Sequence, residues 1–416
     1  MTEESRWLTD KWWLSPYNFA DEVRQQFSLP SRVYIHDVTL REAMQSPRVV
    51  LRPEEKIRIA KELDKLGVDS IENGAYMSES EKEVTRELVE MQRKGELKTK
   101  VTPLVHVSEQ DIDIALDIGA DRVLLSQAIN PWTAKALFNI DENELTEKLV
   151  NVISYAKKNG LFVIAQIYDT YRAPLEFLER AIKSIVYDGG ADHVAISDTR
   201  GFALPWTVTY FVKKVKSWIP EIPIEHHGHN DYGLATAMML AAVAGGAEVV
   251  HTSINNIGER VGNAATEEVA MALELLLGVK TGINLKQIYP ACELVAELTK
   301  HPLARNKPIV GENMFLIEAG QVAWRHWQMA KTDRPFADLA FAPEVVGKGE
   351  DIDVILGWGC GKAIVTNKLE KMGISATDEQ KAEIARRVKE EAYISKWSLS
   401  DTQFQAIVDS VLANSG

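Results

Sequence analysis

The feature that most constrains the fold of this chain is a rhythm. Between residues 33 and 277, short β-branched runs alternate eight times with amphipathic stretches. The runs fall at 33–38, 68–72, 100–105, 122–126, 162–167, 193–197, 222–226 and 248–253. Runs of this length, rich in Val and Ile, read as strands. The stretches between and after them, at 54–66, 79–93, 109–118, 142–158, 174–187, 205–218, 234–244 and 265–277, read as helices. In the first, Ile59, Leu63 and Leu66 share one face behind Pro53. Gly67, Gly119, Gly160, Gly189-Gly190 and Gly245-Gly246 follow as C-terminal stops. Eight evenly spaced strand–helix units predict an α/β fold closed as a (β/α)8 TIM barrel over residues 31–305. An open doubly wound sheet is the rival topology.

The flanks are different. Residues 1–30 hold Trp7, Trp12, Trp13, Tyr17 and Phe19. So much aromatic surface predicts an extension packed on the main domain or on a second subunit. Residues 306–416 predict small α-rich subdomains, with capping boxes at Thr377-x-x-Gln380 and Ser400-x-x-Gln403.

Over 416 residues the net charge is −13, which argues against nucleic-acid backbones and anionic membrane surfaces as partners. Cys292 and Cys360 lie far apart, implying neither a disulfide framework nor a zinc–cysteine site. With no basic, apolar leader at the N-terminus and no long apolar run, the expected location is the cytoplasm.

In a barrel of this kind chemistry sits at the C-terminal ends of the strands, and that rule alone sorts the polar residues. Asp37, Arg41 and Glu42 follow the first strand, and Glu72 and Asn73 end the second. His106 ends the third, while Tyr168, Asp169 and Arg172 follow the fifth. Asp198 and Thr199 follow the sixth, His227 and His229 the seventh, and Asn255, Glu259, Arg260 and Asn263 the eighth. His227 and His229 stand two apart on an extended segment, so both rings point to one side and can reach one divalent cation. The plainer reading is a hydrogen-bonded buried pair. Two His, several carboxylates and three Arg converging on one mouth favour a site.

Three segments carry a family resemblance. The first is Asp37-Val38-Thr39-Leu40-Arg41-Glu42-Ala43-Met44-Gln45, the second His227-Gly228-His229-Asn230-Asp231, and the third Gly258-Glu259-Arg260-Val261-Gly262-Asn263. With Asp198-Thr199-Arg200-Gly201, they resemble the pyruvate carboxyltransferase, or DRE-TIM metallolyase, superfamily. The tail, from Asn306-Lys307-Pro308 to Pro343-Glu344-Val345, resembles the linker subdomains of 2-isopropylmalate and homocitrate synthases. The resemblance implies a divalent metal (Mn, Mg, Zn or Co) that holds a 2-oxo acid for attack by an acyl-CoA. It implies His227, His229, Glu42 and Asn263 as the metal set, and Arg41 as the electrophilic catalyst. Glu72, Glu259 and Tyr168 stand beside Arg41 as catalytic candidates. Thr199, His106, Asn73 and Arg172 are the substrate-binding candidates. It also implies a homodimer in which residues 306–340 of the second chain approach the first chain's site.

The departures from the family pattern bear on the reaction. Glu42 stands where the pattern has Asp, and Ala43 where it has Gly. Tyr168 occupies an acidic position. The synthase linker motif H-x-x-G-I-H reads Ile317-Glu318-Ala319-Gly320-Gln321-Val322, and a linker Tyr is Phe336. A general base cannot be replaced by Val or Phe, so His326 or Glu318 takes that role or the reaction differs. Three functions fit: a Claisen-type acyltransferase, a metal-dependent lyase cleaving a hydroxy acid, or a non-catalytic metabolite-binding relative. The lyases of hydroxymethylglutaryl-CoA use a Cys in the loop after the eighth strand, and residues 255–263 contain none.

Overall fold

The computed structural model describes residues 6–349 and 352–413. They divide into two compact units, one of residues 16–303 and one of residues 6–15 with those from 304 onward.

The first unit is the barrel. Its strands are β1 Tyr34–Asp37, β2 Ser70–Asn73, β3 Lys100–His106, β4 Arg122–Ala128, β5 Phe162–Tyr168, β6 His193–Asp198, β7 Ile224–Gly228 and β8 Val249–Thr252. All pair in parallel in sequence order, and β8 closes onto β1 with His36 opposite His251. The closed barrel replaces the open-sheet alternative. β7 starts two residues later than the sequence suggests because Pro223 has no N–H to give a ladder. The periodicity misses Ile288–Thr299 and, after β4, Pro131–Phe138. The latter is short, and it is started by Asn130, whose side chain accepts the Trp132 N–H at 2.9 Å. The helix after β8, Thr266–Met271, passes into a π turn at Ala272–Leu276.

Outward-facing strand residues such as Ile35, Ile71, Val105, Leu125, Ile167, Ile196 and Val250 are buried under the helices. The interior is two-sided. Leu104, Leu124, Ile164 and Ala195, from β3 to β6, form an apolar layer. From β1, β2, β7 and β8 come His36, Glu72, Glu225 and His251, all buried.

The aromatic extension is divided between the units. Residues 16–30 belong with the barrel, and residues 6–15 with the second unit, while residues 1–5 lie outside the described residues. There Arg334 lies over the Trp13 ring at 4.9 Å and Lys11 pairs with Glu344 at 3.1 Å. Tyr17 stays exposed. The second unit contains helices Gly320–Met329, Lys362–Lys371, Asp378–Ser395 and Asp401–Ala413 and a two-stranded sheet, Leu316–Ile317 with Asp353–Val354. Its core includes Ile317, Ile364, Ile384, Val388, Phe404 and Val408. No helix among the described residues is long and apolar enough to cross a membrane.

Candidate active site at the barrel mouth

Closure gathers the strand ends around a cavity of about 490 Å³, lined by residues that include Arg41, Thr199, His227, His229, Glu259, Tyr168 and His106. That volume suits a small-molecule substrate. A larger cavity, about 680 Å³, opens at the opposite end of the barrel among Tyr34, Ser70, Lys100 and His193. It contains neither the Arg41 group nor the paired His, so the chemistry is assigned to the C-terminal mouth.

Arg41 is placed by a single buried turn, Thr39–Ala43, directly after β1. The Asp37 carboxylate starts that turn by accepting the Thr39 N–H at 2.9 Å and its hydroxyl at 3.1 Å. Burial pushes the Asp37 carboxyl up to about 7. The Arg41 guanidinium donates through Nε to Glu72, and through Nη1 to Glu42 and, at 2.8 Å, to Gln45. Those bonds leave Nη2 for the cavity. Glu72 does not line the cavity. It lies behind Arg41, its other oxygen bonded to His36 Nε2 at 3.0 Å. Burial works against its ionisation, yet Arg41 and His36 bring its carboxyl down to about 2. Glu72 thus acts on Arg41.

The metal candidates form one cluster. Donor atoms of Glu42, His227 and His229 all lie within 4.8 Å of one another. Strand alternation at the end of β7 turns both rings inward, with their Nε2 atoms 3.4 Å apart. Burial, then the neighbouring His229 and Arg41 charges, hold the His227 imidazole well below its ordinary pKa, so it is neutral, the form that binds a cation. Asn263 Nδ2 lies 3.3 Å from His227 Nε2, and its Oδ1 is buried without a partner. Glu42 Oε2 accepts the Glu259 N–H at 2.9 Å, which fixes the extra methylene relative to Asp. Converging neutral imidazoles, a buried carboxylate and an orphaned amide oxygen fit a divalent cation with mixed N/O ligands. Gly258 makes the packing possible, because a Cβ there would stand 2.7 Å from Glu42 Oε2 and run into Asn263 Oδ1. Gly201 does the same where the loop after β6 crosses the His229 carbonyl.

Thr199 lines the cavity, and its Oγ1 accepts the Asp169 N–H at 2.8 Å, which leaves the hydroxyl proton to donate. The His106 ring lies against Tyr76 at a 54° tilt with centroids 4.0 Å apart, and Tyr168 lines the same wall. Glu259 is half exposed and pairs with Arg260 at 2.8 Å. Two substrate candidates are placed elsewhere. Asn73 points outward from β2 and donates to Thr85 Oγ1 at 2.8 Å. Arg172 is held by Asp169 through two bonds, at 2.6 and 2.9 Å, and is not part of the cavity wall. The sequence reading missed Gln45, Tyr76, Ser126, Gln166, Lys148 and Ser197, all in the wall. Three of these are inward residues one step above the apolar layer, so strict period-2 counting would have found them.

Known proteins resemble this chain in sequence and in fold. A family model described as HMGL-like matches residues 32–295. The 2-isopropylmalate synthase of Methanocaldococcus jannaschii is 38% identical over 393 residues, covering 93% of this chain and 73% of that one. Homocitrate synthase AksA of Methanopyrus kandleri is 35% identical over 404 residues, covering 97% and 98%. Among solved structures, the HMG-CoA lyase of Bacillus subtilis has a TM-score of 0.57 at 23% identity, over 67% of this chain and 97% of that one. That last likeness is one of fold.

Proposed function

The chain belongs to the HMGL-like family, and on that footing we propose that it condenses an acyl-CoA with a 2-oxo acid. The observation that carries the reading is the junction of Arg41 with the Glu42–His227–His229 cluster at the wall of one cavity. The near end-to-end match to a homocitrate synthase supports a synthase over the shorter lyases.

Glu42, His227 and His229, with Asn263 beside them, would hold a divalent cation, which would supply Lewis acidity to the ketone of the 2-oxo acid. Thr199 donates its hydroxyl to the substrate carboxylate. Arg41 offers Nη2 to the ketone oxygen as negative charge develops there. A base takes a proton from the acyl-CoA carbon next to the thioester, and that carbon bonds to the ketone carbon. The ketone oxygen takes up a proton and becomes a hydroxyl. Water then cleaves the C–S bond, releasing coenzyme A thiol and a carboxylate.

The protein is read as a homodimer. Trp132, Leu137 and Phe138 on the helix after β4, Trp206 at the start of the helix after β6, and Tyr232 and Val261 on loops stand exposed, a surface suited to burial by a second copy. It is placed in the cytoplasm, in keeping with two buried cysteines that form no disulfide.

The test is coenzyme A release from acetyl-CoA by metal-loaded protein across a panel of 2-oxo acids, with a chelator control. Thiol release that needs both metal and 2-oxo acid is expected. Cleavage of a hydroxy acid without thiol release would replace the synthase reading with a lyase.

A further inference from the structure

The part of the cavity away from Arg41 and the paired His has its own chemistry. On β3 to β6 the inward residues form two tiers. The lower tier, Leu104, Leu124, Ile164 and Ala195, is apolar. One step toward the mouth, strand alternation brings in His106, Ser126, Gln166 and Ser197, and all four line the cavity. Ser126 and Gln166 are direct partners in the β4–β5 register. Gln166 is only 4% exposed. Ser197 Oγ is buried and unpartnered. Lys148 lies at the rim.

A buried polar atom without a partner is rare in folded proteins, and one within a polar wall points to a ligand that satisfies that wall. A hydrocarbon side chain lying there would seal these groups dry. A site built to hydrogen-bond a ligand rejects the apolar isostere far more strongly than a greasy pocket rejects a polar one. The groups on this wall that can donate are the Ser197 and Ser126 hydroxyls, the Gln166 amide and the Lys148 ammonium. They call for an acceptor.

We infer that the acceptor 2-oxo acid carries an oxygen-bearing group at the end of its side chain, received by the Ser126–Gln166 wall, with Gln166 as a specificity-determining residue. The inference rests on the condensation reading, which puts the ketone and first carboxylate at Arg41 and Thr199. A second carboxylate and a neutral amide share this chemistry.

The experiment uses the full-length, Mn²⁺-loaded protein and shape-matched substrates: 2-oxoglutarate, 2-oxoglutaramate and 5-methyl-2-oxohexanoate, with oxaloacetate and 4-methyl-2-oxopentanoate as a shorter pair. Thiol release from acetyl-CoA gives kcat/KM, and calorimetry without acetyl-CoA gives affinity. In at least one length class the oxygen-bearing acid is expected to exceed its branched isostere at least tenfold in both. Gln166→Leu is expected to shrink that ratio at least tenfold. If Gln166→Leu does not fold, Ser126→Ala, at a partly exposed position, reads the same ratio. The carboxylate and amide arms decide which acceptor is used. Equal affinities, or preference for the branched acids, overturn the inference whether or not thiol appears. Selective binding of the polar acid without thiol release keeps the inference and removes the condensation reading.

Discussion

Glu72→Gln isolates what the buried carboxylate behind Arg41 contributes. The carboxylate is fully buried, and its two oxygens are engaged by Arg41 and by His36. Its pKa falls from 4.5 to about 2, which corresponds to about 3 kcal/mol of native-state stabilisation. Breaking a buried pair by removing one partner costs about 3–5 kcal/mol, so the two estimates agree in size. Glutamine keeps the shape, but it turns an NH₂ toward a donor and leaves Arg41 paired with Glu42. The sign follows from the depressed pKa: the stabilisation is complete above pH ~4.5 and is lost as pH falls toward ~2. Urea unfolding of wild type and Glu72→Gln at an unchanged m-value should therefore show a gap of about 3 kcal/mol at neutral pH. That gap should close steadily in acid. A gap under about 1 kcal/mol at neutral pH, or one that is the same in acid, would refute the assignment of Glu72 as the ionised anchor of Arg41.

Arg41→Ala should lower kcat by about 10²–10³, the loss seen when one charge-stabilising donor is removed, and Arg41→Lys should recover little because a point charge does not reproduce the fork; unchanged turnover in the thiol-release assay removes Arg41 from the mechanism. Gly258→Ala drives a Cβ against Glu42 and Asn263, so Mn²⁺ affinity measured by calorimetry should fall more than tenfold while the thermal midpoint stays close to wild type. Neither cysteine should react with a disulfide reagent in the native state. Both are buried, and burial pushes the Cys360 thiol up to about 11. The same reagent should titrate both after denaturation, and native reactivity would show that the region around Cys360 opens.

The barrel was legible because its signal repeats eight times and closure follows from even spacing. The convergence of His227 and His229 was legible because two His at i and i+2 on a strand put both rings on one side. Asn73 was misplaced for a reason also present in the chain: with Glu72 facing in, period 2 turns Asn73 out toward Thr85. Arg172 was not readable, since its partner is set by a loop in which Asp169 adopts φ +61°. The division of the aromatic extension at residue 15 depends on pairings such as Lys11 with Glu344, far apart in the chain. The altered linker becomes intelligible only in three dimensions. Ile317 stands in a strand and is packed in the core of the second unit, where an imidazole would lie against apolar side chains. Glu318, weighed as a replacement base, has Oε1 taken by the Gly359 N–H at 3.1 Å. His326 is depressed by burial.

The two-sided barrel interior ties these results together. A barrel of this type is ordinarily filled with branched apolar side chains, because charge buried there loses its hydration. Here the β3–β6 half obeys that rule, and the other half replaces packing with paired charge. Glu72 is bridged to Ser70 through His36, whose Nδ1 lies 2.6 Å from Ser70 Oγ. Glu225 is clamped by His193 at 2.6 Å and His251 at 2.7 Å, and His36 and His251 stack with centroids 4.3 Å apart. Both carboxylates are held ionised against the pull of burial. Such a column cannot reorient without leaving a charge unpaired, so Arg41 rests on a support that does not relax as charge develops at the mouth. The apolar half has the complementary task. It gives the Ser126–Gln166 wall a rigid floor, so that polar groups above it meet the acceptor's side chain at a fixed depth.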